Sequence, residues 1–145
     1  MRYFALALIA AAALAGCGET IPSEAPAGRA QAFVLEDLYY GRPGRAYDAL
    51  HPAFQQRVPR ELFLRCAKQY QLGDLDSIKV LDVSDDSVTV PGEGEQPAKA
   101  VRIRLTSTTG QTDTHVYHQV KVGDDWRWVM NEKALRAYGA SRCPQ

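Results

Sequence analysis

The chain has 145 residues, and its 17 Lys and Arg balance 17 Asp and Glu, for a formal net charge of zero. With the basic residues scattered singly, that balance argues against nucleic acid as a partner, because phosphate binding needs a concentrated positive surface. The absence of a Gly-rich phosphate loop, a nucleophile-elbow sequence and a Cys-x-x-Cys pair removes kinases, common hydrolases and thioredoxin-like redox enzymes.

At the start, Arg2 precedes an entirely apolar run from Tyr3 to Leu14. A basic start, a short apolar run and small residues make a secretory signal, too short to span a bilayer as a stable helix. Leu14-Ala15-Gly16-Cys17 resembles the lipobox of bacterial lipoprotein precursors. The resemblance implies a signal peptide over 1–16 and lipidation of Cys17 with two or three acyl chains, palmitate among them. It further implies a cell-membrane protein, lipid-anchored on the extracytoplasmic face of the cell envelope. An ordinary cleaved signal is the alternative. The remaining 129 residues make one domain, large enough for its own core. With Cys17 taken by lipid, Cys66 and Cys143 remain in a compartment where disulfides persist, and they are expected to pair. Two free buried thiols are the rival reading.

Gly18 to Gly28 is rich in Pro, Gly and small residues, which predicts a flexible tether over 17–28. Arg29–Tyr40 predicts a first helix with Ala30, Phe33, Val34 and Leu38 as its apolar stripe. Gly41 and Pro43 end it. Arg45–Leu50 predicts a short second helix. His51 precedes Pro52 and is biased away from helix, with its imidazole expected to bond nearby backbone. Phe54 and Val58 belong to another short turn. Pro59 takes a first helical position, and that helix runs to about Tyr70 with Leu62, Cys66 and Tyr70 on one face.

From Ser77 the period changes to two. Ile78 and Val80 alternate with Lys79 and Leu81, Asp85-Asp86 reads as a hairpin turn, and Ser87–Val90 returns. Residues 91–97 read as a polar loop. In Ala98–Ser107, Val101, Ile103 and Leu105 oppose Arg102, Arg104 and Thr106. Thr112–Val122 sets Val116, His118, Val120 and Val122 against Asp113, His115, Tyr117, Gln119 and Lys121. Trp126–Met130 is the last strand, and Lys133–Tyr138 a closing helical turn. N-terminal helices followed by four to five antiparallel strands define an α+β domain over 29–145.

This order, a long first helix, short helices and a paired sheet ending in Gly-Asp-Asp-Trp-Arg-Trp, resembles the nuclear transport factor 2-like superfamily, a cystatin-like α+β cone. Leu50-His51-Pro52-Ala53-Phe54, the stretch Val58 to Cys66, Trp126-Arg127-Trp128-Val129 and Cys143-Pro144 resemble small actinobacterial lipoproteins of unassigned role. The resemblance implies a curved sheet wrapping the helices, with a pocket at the open end. That fold hosts enzymes such as ketosteroid isomerase and scytalone dehydratase, and many ligand-binding and accessory domains.

No residue is assigned a catalytic role. The candidates are Asp113, His115 and Tyr117, which share one strand face and would form an acid–base relay if that face lines a pocket. The competing reading is a solvated outer face, which Gln119 and Lys121 favour. Tyr47, beside Asp48, is the other candidate; the isomerase motif does not match its spacing, and packing is the competing reading. His118, among valines, reads as a core histidine. His115 and His118 fall on opposite strand faces and cannot share a metal, so no metal and no cofactor is expected. The expected partners are the membrane, through lipid on Cys17, and a small apolar ligand or an envelope protein. The leading function is therefore a non-enzymatic binding domain, with a small isomerase or dehydratase as the alternative.

Overall fold

Prolines start the first three helices. The computed structural model describes residues 25–70 and 74–145, and there α1 (Pro26–Tyr39), α2 (Pro43–Asp48) and α3 (Pro52–Gln55) each begin on one. A ring with fixed φ and no N–H suits the first helical position, whose donor has no intrahelical partner. The expected signal peptide, Cys17 and residues 18–24 of the expected tether lie outside the described residues. Residues 26–28, expected to end the tether, are instead the first turn of α1, with Ala27 and Gly28 buried.

The buried face of α1 differs from the expected stripe. Ala27, Gln31, Val34 and Leu35 point inward, whereas Phe33 is 60% exposed. Starting the helix at Pro26 brings Gly28 against the sheet, where an added Cβ would lie 3.2 Å from both Val80 Cγ1 and Val83 Cγ2. Asp37 is also buried, held by Arg42 Nε at 2.7 Å and Arg45 Nε at 3.5 Å. α4 (Arg60–Ala67) follows Pro59 and runs into a 3₁₀ turn, Lys68–Tyr70.

Four antiparallel strands follow: β1 (Leu75–Val90), β2 (Gly94–Ser107), β3 (Thr112–Val122) and β4 (Asp125–Val129), in the order β1-β2-β3-β4. The sheet is an open meander, and α1 touches all four strands. β1 continues through the expected Asp85-Asp86 turn: Asp85 opposes Lys99 and Asp86 opposes Ala98. The chain turns instead at Pro91–Glu93, where Gly92 and Gly94 both take φ +80°, a conformation an Asp-Asp pair adopts far less readily. Residues 94–97, expected as loop, therefore belong to β2. A register shift between Val80 and Asp82 is a β-bulge. It lets Val80 (opposite Ile103) and Val83 (opposite Val101) face the helices together, and turns Asp82 away.

α5 (Glu132–Gly139) closes the chain, its N-terminus capped by Asn131 Oδ1 accepting from the Ala134 N–H at 2.8 Å. Two apolar clusters form the core. One joins Val34, Leu50, Phe54, Phe63, Val120 and Tyr138. The other lies between α1 and the sheet, around Leu35, Val83, Val101, Ile103 and Leu105. Cys66 and Cys143 form the expected disulfide, with Cα atoms 5.2 Å apart and a sequence separation of 77. On the chain-entropy view, closing such a loop stabilises the fold by roughly 4 kcal/mol. Among the described residues, no helix is long and apolar enough to cross a membrane.

Candidate functional site

The pairing of β2 with β3 decides which face carries the candidate residues. Leu105 opposes Asp113, Ile103 opposes His115 and Val101 opposes Tyr117. Directly opposite residues share a face, so Asp113, His115 and Tyr117 stand on the helix side of the sheet, not on a solvated outer face. Gln119, which had argued for an outer face, is fully buried. It lies inside because its Nε2 donates to Gln31 Oε1 of α1 at 2.8 Å. Burial falls along the strand: Gln119 is buried, Tyr117 intermediate, His115 and Asp113 exposed.

Two hollows meet at Tyr39. One, an apolar pocket of about 170 Å³, is lined by Leu35, Leu38 and Tyr39 of α1, Phe63 of α4, Tyr117 and Trp128 of the sheet, and Ala134 and Tyr138 of α5. The other is a mixed cleft of about 280 Å³, lined by Leu75 and Leu105 as well as Gln69, Asp74, Asp113 and His115. The rings of His115 and Tyr117 lie 6.1 Å apart. Trp128 is fixed by its indole N–H, which donates to the Ala46 carbonyl at 2.7 Å. Leu50 bridges to Trp128 alongside β4, and the His51 N–H donates to the Trp128 carbonyl at 2.9 Å.

Tyr47 lines neither hollow. Its hydroxyl donates to the Val58 carbonyl at 2.8 Å, its ring stands 5.3 Å from Phe63, and Arg60 lies 5.8 Å above it. Burial pushes its phenol above the usual value, against the lowering effect of Arg60. Tyr47 thus packs, and its hydroxyl is committed to backbone.

The other two histidines serve the frame. His51 does bond nearby backbone, but as an acceptor: its Nδ1 takes the Ala53 N–H at 3.2 Å and caps α3. Burial pushes its imidazole below the usual value, although Glu93 pulls it upward. The neutral ring is the form that can accept at Nδ1, so the 3.9 Å approach of Nε2 to Glu93 is not an ion pair near neutral pH. His118 is not a core histidine. Its side chain is 29% exposed, and Nε2 lies 2.9 Å from Asp86 Oδ2, reaching across β2. The small Ala98 and Ala100 between them leave the path open. The hydrogen bond with His118 is the main cause that holds the Asp86 carboxyl below its usual range, followed by one from the Ser87 N–H. Val116 of the same face is 54% exposed. Nearby, an open groove of about 690 Å³ runs past Phe54, Val88, His118 and Leu135.

Among the described residues, no group of three His, Cys, Asp or Glu side chains is placed to hold a metal ion. The sequence reading missed the Gln31–Gln119 pair and the contribution of Leu35 and Tyr39. The spacing of Ala27, Gln31, Leu35 and Leu38 puts these four in one stripe of α1, a signal for Gln31 and Leu35; nothing comparable marks Tyr39. Compared with known proteins, the chain matches no family model, no curated protein and no solved structure.

Proposed function

We propose that this chain is a lipid-anchored envelope protein whose nuclear transport factor 2-like domain binds a small apolar ligand between α1 and the sheet. The observation that carries the binding reading is the apolar pocket between α1, α4, α5 and the sheet. Its walls are Leu, Phe, Trp and Tyr side chains, the lining expected of a small-molecule site with a few polar groups at its rim. An apolar cavity of about 150 Å³ accepts a benzene-sized molecule, so about 170 Å³ suits one ring or a short aliphatic group. The lipid anchor rests on the lipobox-like Leu14-Ala15-Gly16-Cys17.

Thermal unfolding with benzene and short alkanes tests the binding reading. The wild-type chain should melt higher with a fitting ligand, since whatever binds the native state alone stabilises it. Ala134→Phe, which fills the pocket from α5, should lose that response. If no ligand shifts the wild-type curve, the binding reading is wrong.

One observation favours a second reading. Asp113 and His115 line one cleft, where an acid and an imidazole serve proton transfer of the isomerase or dehydratase kind. That reading expects a bound ligand to be turned over, and Asp113→Asn and His115→Gln to stop turnover while leaving binding intact.

A further inference from the structure

The zero net charge hides a polarity across the molecule. Residues 41–70, which carry α2 to α4, hold six cations (four of them Arg42, Arg45, Arg60 and Lys68) against Asp48 and Glu61. β1 holds Asp76, Asp82, Asp85 and Asp86 against Lys79. The two groups sit at opposite ends of the sheet order, because the helical cations neighbour β4. Arg45 lines a hollow with Trp126, and the Arg127 guanidinium donates to the Asp48 carbonyl at 2.7 Å.

The cationic side also carries the most exposed aromatics. Phe33 and Tyr40 are 60% and 57% exposed. Seven residues apart on α1, they fall on one side of the helix, about 10 Å apart along its axis. Arg45 joins the two features, lining one hollow with Phe33 and another with Arg42, Arg60 and Lys68. Asp37 and Asp48 answer part of this charge, through Arg42 and Arg45 and through Arg60, and Glu36 stands between Phe33 and Tyr40 on the same side of α1. Lys68 adds to the surplus.

We infer that this face, Phe33 and Tyr40 set among Arg42, Arg45, Arg60 and Lys68, docks on an anionic phospholipid surface. Charge complementarity selects the occupant. Cations near an anionic leaflet are attracted to it, and aromatic side chains settle at the level of the headgroups. The inference rests on the proposed anchor for its geometry. Pro26 lies nine positions after Cys17, so at most about 30 Å of chain separates α1 from the lipid. A tether that short raises the effective concentration of the surface, so a weak patch suffices.

The test is arginine footprinting of the full chain, recovered with its native processing and reconstituted in vesicles. Phenylglyoxal modification, read by peptide mass spectrometry, is compared in phosphatidylcholine vesicles and in vesicles enriched in phosphatidylglycerol. Arg45 and Arg60 should react more slowly by about threefold or more on the anionic surface. Exposed Arg102 and Arg104 should be unchanged. Molar salt, which cuts the Debye length to about 3 Å, should remove the protection. Phe33→Glu should remove it too without lowering the melting temperature. Equal rates in the two vesicle types overturn the inference. So does protection by free glycerol phosphate over phosphatidylcholine, which would mean a small-anion site. The same digest weighs the Cys17 peptide. An acylated Cys17 with no protection defeats the docking face alone; protection with an unacylated Cys17 defeats the anchor alone.

Discussion

Gln119 of β3 donates its side-chain N–H to Gln31 of α1 across 2.8 Å, inside the layer between helix and sheet. Gln119 Oε1 has no partner there. The pair fixes the rotation of α1 against the sheet, because two amides 88 residues apart in sequence meet only in that orientation. Gln31→Leu or Gln119→Leu alone should cost about 1–3 kcal/mol, since each leaves a buried amide without its partner. The double variant should recover most of that loss. A denaturation cycle over the four proteins checks it, and additive costs would refute the coupling.

The Cys66–Cys143 bridge ties α4 to the chain's last residues. Cys66→Ser and Cys143→Ser should each lower stability by about 2–5 kcal/mol, and by similar amounts. Reductant should bring the wild type to the same level. Urea titrations with and without reductant measure this. A large loss for one variant with none for the other would dissolve the shared cause.

His51 sets a pH dependence. Its folded pKa lies below the ordinary 6.5, chiefly through burial. A depressed pKa means that the unfolded chain binds the proton more readily. Its contribution to stability is therefore complete above about 6.5 and is lost as pH falls through the lower folded value. His51→Asn keeps a capping acceptor that does not titrate. Melting curves should show wild type weakening against His51→Asn below pH 6.5 and running parallel above it.

Gly28 and Gly139 should respond in opposite ways to a side chain. In a helix Ala outranks Gly by about 1 kcal/mol, and nothing lies within 4 Å of a Cβ built on Gly139. Gly139→Ala should therefore stabilise. At Gly28 the same Cβ presses on Val80 and Val83 at 3.2 Å. Gly28→Val should cost about 1–3 kcal/mol through overpacking. A rise in melting temperature for Gly28→Val would show that α1 is free to lift from the sheet.

Much of this was legible in the chain. The alternation in Val101, Ile103 and Leu105 gave β2 its inner face, Thr112–Val122 is the third strand residue for residue, and the Cys66–Cys143 pair was expected from the cysteine count. The misreadings share a physical origin. Asp85-Asp86 resembles a turn because two acids rarely share a strand. Here Lys99 pairs with Asp85 across the ladder and His118 with Asp86 over two alanines, partners that only the folded sheet supplies. Phe33 looks like core because periodicity counts apolar residues without knowing that an amide on a distant strand will claim position 31. Asp113, His115 and Tyr117 were picked out by shared strand parity, but which side of the sheet they face depends on where α1 lands. Tyr47 was singled out for its chemistry, and its hydroxyl is spent on the Val58 carbonyl.

Among the described residues, β1, sixteen residues long, has a strand on one side only. Such an edge invites a strand from a neighbouring molecule. The acids along β1 repel their counterparts on an identical edge, and the kink at Val80–Asp82 spoils the straight register that a partner needs. The residues that disguised β1 as two short strands are of the kind that discourages edge-to-edge pairing.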